Sequence, residues 1–77
     1  MTAKEFNHLE ENIRAATVWE QGVLIEERMD DKVQIKIYSM KKFFVEVWMD
    51  VKKLKLQKVH ALEKETDWSN YLDKLDY

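Results

Sequence analysis

The chain has 77 residues with no cysteine, no proline, one glycine and a formal net charge of −2. Without cysteine, disulfides and thiolate metal sites are excluded, one glycine cannot build a phosphate-cradling loop, and no apolar run approaches the roughly 20 residues of a membrane helix. A single domain of this size, residues 1–77, buries only about 60% of its unfolded surface, so its stability is expected to be modest.

The missing cysteines fit a reducing compartment. The N-terminal stretch MTAKEFNHLEE is acidic and has no apolar signal core, so the expected location is cytoplasmic. Charge is unevenly spread: residues 1–31 carry −5, residues 32–60 carry +6 and residues 61–77 carry −3. A basic centre between acidic flanks reads either as mutual attraction within one fold or as a surface for an anionic partner.

In chain order, Thr2-Ala3-Lys4-Glu5 has the spacing of a capping box. Phe6, Leu9, Ile13 and Ala16 follow as one apolar stripe, so the pattern predicts a helix from Ala3 to Glu20. Gly22 is placed to end it in a left-handed cap. Four strands are expected next: Val23–Met29, Val33–Ser39, Phe43–Met49 and Leu54–Val59. The alternation slips before Val59, which suggests a bulge near Lys58 or the end of the strand. Trp68, Tyr71, Leu72 and Leu75 then form a second helical stripe, over Asp67–Leu75.

Three-residue loops at 30–32 and 40–42 predict a register with Leu24 opposite Tyr38, Ile25 opposite Ile37, Ile37 opposite Val45 and Ile35 opposite Val47. The same register lines up Glu26, Lys36 and Glu46 across three strands and sets Glu27 opposite Ile35. The expected fold is α+β in two layers: a four-stranded antiparallel meander flanked by N- and C-terminal helices, in the order α-β-β-β-β-α. Both helices are expected on the face bearing Val33, Ile35, Ile37, Val45 and Val47.

Four stretches carry a resemblance: Gly22 to Ile25, Ile35 to Tyr38, Phe43 to Trp48, and Tyr71-Leu72. In these the chain resembles a group of small uncharacterised bacterial proteins with the same order of elements. The resemblance implies this fold and no activity, cofactor or site residue.

No catalytic constellation emerges from the residues. His8 and His60 lack the further ligands that a metal site needs. Glu26 and Glu27 point to opposite faces of a strand, so they form no carboxylate dyad. The serines and threonines have no nucleophile context. The reading is a non-enzymatic protein without metal, cofactor, membrane association or an evident small-molecule ligand.

One surface remains. Leu24, Tyr38, Met40, Phe44 and Trp48 are expected together on the second sheet face. An open aromatic face suits a protein partner or a second copy of the chain, as a homodimer. Two other readings stay open. Single-stranded nucleic acid could stack on Tyr38, Phe44 and Trp48 beside Lys36, Lys41, Lys42 and Lys55, or the face is a second core under a helix.

Overall fold

The computed structural model describes residues 1–63. The elements are α1 (Ala3–Asn7), α2 (Glu11–Gln21), β1 (Val23–Asp30), β2 (Val33–Ser39), β3 (Phe44–Asp50) and β4 (Lys55–Ala61). The strands form an antiparallel sheet in the order β1-β2-β3-β4, the expected meander. The helix expected over Asp67–Leu75 lies outside the described residues.

The capping box is present. Thr2 N–H donates to Glu5 Oε1 at 2.7 Å, and Glu5 N–H donates to Thr2 Oγ1 at 3.1 Å. These bonds satisfy two of the donors that a helix start leaves open. The single helix expected over Ala3–Glu20 is instead two. Glu10 is extended (φ −63°, ψ 153°) and starts α2 without a side-chain cap. Arg14 bridges the break by donating from Nη1 to the carbonyls of Leu9 (2.5 Å) and Asn7 (3.3 Å).

The break resets the rotational phase of the apolar stripe. Phe6 and Val18 are buried against the sheet and Ala15 packs beside them, while Ile13 and Ala16 face solvent. Burying a side chain such as Phe6 or Val18 is worth about 1.5–3 kcal/mol. Gly22 closes α2 by donating to Val18 O at 2.8 Å. Its φ is −79°, so the expected left-handed cap does not form. Close approach is what requires glycine here, since a Cβ would stand 2.7 Å from Val18 O.

Two of the expected registers shift by one residue. β1 and β2 meet through the two-residue turn Asp31-Lys32, with Asp31 at φ 57°. Glu26 therefore faces Ile37, and Glu27 faces Lys36 rather than Ile35. A bulge at Ile25 absorbs the difference and restores the expected pair Leu24–Tyr38. Between β2 and β3 the loop has four residues, Met40 to Phe43, closed by Met40 N–H to Phe43 O at 2.9 Å. Tyr38 consequently faces Val45, Ile37 faces Glu46 and Ile35 faces Trp48.

A one-residue shift turns every later side chain to the other face. α1 and α2 thus lie on the face bearing Tyr38, Val45, Val47, Val59 and Ala61, and Val33, Ile35 and Ile37 belong to the opposite face. Phe44 and Leu62 join Ile35 and Ile37 there in a second buried cluster, with Ile25, Val33 and Trp48 packed against it. The expected row Glu26–Lys36–Glu46 does not form. Arg28 lies 3.8 Å from Glu26 and 3.9 Å from Glu46 in its place.

The slip in β4 is a bulge. Trp48 pairs with Lys58 and Met49 with Leu56, which leaves Gln57 as the extra residue. It puts Leu56 on the helix side with Val59 and Ala61. Leu54 falls outside the strand, in a left-handed turn conformation at φ 54° and 79% exposed.

Candidate functional site

The five residues expected on one surface are divided between the two faces. Leu24 and Tyr38 pair on the helix side, where Tyr38 is 7% exposed. Trp19 meets the Tyr38 ring edge-on, with centroids 6.0 Å apart and planes at 71°. Met40 sits in the β2–β3 loop and packs against the helix-side cluster. Phe44 and Trp48 are on the other side, where Phe44 is fully buried. The single open aromatic face is therefore corrected, because loop length set a different register. The stacking platform required for nucleic acid is lost with it: Tyr38 and Phe44 point in opposite directions and both are buried.

Trp48 is more accessible than Phe44. Lys58 Nζ lies 4.9 Å from its ring centroid, a cation–π geometry between cross-strand partners. Trp48 Nε1 is buried without a hydrogen-bond partner among the described residues. His60 pairs with Glu46 on this face and is partly buried, whereas His8 is exposed at the end of α1. Among the described residues no group of three or more His, Cys, Asp or Glu could hold a metal ion, and no helix is long and apolar enough to cross a membrane.

The helix side carries a feature that the sequence pattern did not single out. Ala15, Val18 and Trp19 from α2 and Val47, Met49, Leu56 and Val59 from β3 and β4 line a groove of about 230 Å³. Every lining residue is apolar. The helix supplies one wall because positions i, i+3 and i+4 share a face. The sheet supplies the floor because the Gln57 bulge brings Leu56 into line with Val59. Trp19, at its mouth, is 66% exposed.

The rim is polar. Gln34 and Lys36 stand opposite Met49 and Val47 on β2, and Gln34 Nε2 donates to Glu27 Oε1 at 2.6 Å. The Tyr38 phenol is held above its ordinary range, first by burial and then by the Glu27 carboxylate. It is a neutral hydrogen-bonding group at neutral pH. With an apolar lining and no convergent polar groups, the groove can take up apolar side chains but offers no acid, base or nucleophile.

A comparison of the chain with protein-family models, curated proteins and solved structures finds no match.

Proposed function

We propose that the protein is a small non-enzymatic interaction module that binds a second copy of itself through the α2 groove, rather than through the aromatic sheet face. The observation that carries this reading is Trp19, exposed beside a groove lined only by apolar side chains. Trp is enriched among residues that dominate binding energy, especially where it seats in a desolvated pocket. A symmetric dimer uses the same patch on both subunits, so that patch must present both a projection and a recess. Trp19 and the groove it borders meet that requirement on one surface.

The polar residues Gln34, Lys36 and Glu27 form the rim expected around an apolar contact centre. The formal charge of −2 sets only weak repulsion between copies.

Molecular mass across a concentration series, by sedimentation, tests this reading. The expected result is a monomer–dimer equilibrium that Trp19→Ala weakens at least tenfold while the circular dichroism of the monomer is unchanged. A strict monomer at the highest concentration, or a dimer indifferent to Trp19→Ala, overturns it.

A further inference from the structure

We propose that the β3–β4 turn docks the protein on the surface of an anionic lipid bilayer, with Leu54 entering the headgroup layer and the lysines around it meeting the lipid charges. Leu54 is 79% exposed, the most exposed large apolar side chain among the described residues. It is also one of three described non-glycine residues with positive φ, and of these, Asp31, Lys41 and Leu54, it alone is apolar. A bulky L-residue adopts that backbone at a cost, and strain of this kind persists where a function uses it. The turn itself is fixed. Asp50 Oδ1 accepts from the backbone N–H of Lys52 at 3.0 Å and of Lys53 at 2.9 Å, and Val51 N–H donates to Lys32 O at 3.0 Å in the β1–β2 turn. Residues 51–55 read Val-Lys-Lys-Leu-Lys, with three cations and no acid. Lys32 joins them from the neighbouring turn. All four lysines are exposed, and the ion pairs among the described residues involve Arg28 instead. Asp50 is turned to the backbone of its own turn, so Asp30 and Asp31 across from it are the acids that oppose the approach.

The shape of the tip selects the occupant. A short turn cannot supply the roughly 800 Å² per partner that a stable protein interface buries, and lysine is depleted at the centre of such interfaces. The turn has no aromatic ring on which a base could stack. A bilayer surface requires no matching recess. It takes up an apolar tip of any shape, while lysine stems lie along the apolar boundary with their ammonium groups among the headgroups. The attraction of each lysine to an anionic leaflet falls off within a Debye length. The charge of the turn therefore governs the contact more than the net charge of −2 does. A surface contact needs no spanning helix, and among the described residues no helix is long and apolar enough to be one. Leu54 and these lysines are not among the residues lining the α2 groove, so this inference does not depend on it.

Co-sedimentation of the full-length protein with lipid vesicles tests this. Phosphatidylcholine vesicles containing about 30% phosphatidylserine are expected to retain roughly tenfold more protein at low salt than pure phosphatidylcholine, and to lose that excess at about 0.5 M salt. Leu54→Gly should lower the partitioning several-fold without lowering the unfolding midpoint, which separates loss of contact from loss of fold. Lys52→Gln combined with Lys53→Gln should abolish the preference for anionic vesicles, and Asp30→Asn should strengthen it. No binding, equal binding to the two compositions, or binding indifferent to Leu54→Gly overturns the proposal. Binding to polyglutamate and not to vesicles would assign the lysines to an acidic protein surface and overturn it as well.

Discussion

The side-chain amide of Asn7 pairs with the backbone of Ala61 as a neighbouring strand would. Ala61 N–H donates to Asn7 Oδ1 at 2.8 Å, and Asn7 Nδ2 donates to Ala61 O at 2.9 Å. The same Nδ2 donates to Glu63 Oε2 at 2.8 Å. Among the described residues β4 is an edge strand, so the outward N–H and C=O of Ala61 have no strand partner there. One residue at the end of α1 satisfies both and fixes the helix to the sheet 54 positions away in sequence.

Replacing Asn7 therefore tests the docking of α1. Asn7→Ala is expected to cost about 1–3 kcal/mol, since it leaves partly buried backbone groups unpaired. Asn7→Asp should cost at least as much. Its carboxylate can still accept from Ala61 N–H but would face Ala61 O and the Glu63 carboxylate without a proton to donate. Urea unfolding midpoints of the two variants provide the measurement, and an unchanged midpoint for both would show that α1 is held by Phe6 alone.

Gly22→Ala is expected to destabilise by about 1–2 kcal/mol even though Gly22 has an ordinary negative φ. The added Cβ meets Val18 O at 2.7 Å, and behind it lie Val18 Cγ1 at 3.2 Å and Met40 Sδ at 3.3 Å. Met40→Ala in the same chain should not rescue it, because the tightest contact is backbone. Thermal unfolding of the single and double variants reads this out.

Leu54→Gly is expected to raise stability by about 0.5–1 kcal/mol. Leu54 holds a left-handed backbone that L-residues adopt at a cost, and its side chain is 79% exposed. Glycine removes the backbone cost and little packing is lost. A lower midpoint in chemical denaturation would show that Leu54 makes a contact that outweighs its strain.

Two groups give opposite dependences on pH. The backbone N–H of Lys53, with that of Lys52, holds the Asp50 carboxyl below its ordinary range; the two bonds are 2.9 and 3.0 Å. A lowered folded-state pKa stabilises above the unfolded value and ceases to do so as pH falls through the folded value. The stability difference between wild type and Asp50→Ala should therefore be constant near neutrality and close below roughly pH 4. Tyr38 has the opposite sign. Its folded pKa is raised, so its contribution is complete below the unfolded value and is lost as pH rises above about 10. Tyr38→Phe should abolish that part of the alkaline loss, as read from unfolding midpoints across the pH range.

The order of strands and the capping box were legible because each depends on local pattern, whereas the expected Leu24–Tyr38 pair is met only because the bulge at Ile25 offsets a turn one residue shorter than expected. The bulge in β4 was also visible, as the slip before Val59, and fell one residue from the expected Lys58. The β2–β3 register was not legible. Its loop has no Gly, Pro or Asn to mark a length. Ile35 and Ile37 alternate with Tyr38 in a strand buried on both faces, so a period of two cannot say which set meets the helices. The break between α1 and α2 has no Gly or Pro to announce it. It depends on Arg14 reaching back to Leu9 and Asn7. The α2 groove escaped notice for the same reason, because Val18 and Trp19 take their places only after the break.

The bulges at Ile25 and Gln57 fall in β1 and β4, the two strands that border the sheet. Each interrupts the even row of backbone donors and acceptors that an incoming strand would read. Asn7 occupies a further stretch of the β4 border. Ribbon-like growth of the sheet from molecule to molecule is thereby obstructed on both sides. Any contact between copies is thereby directed to side-chain surfaces, where a finite assembly can close.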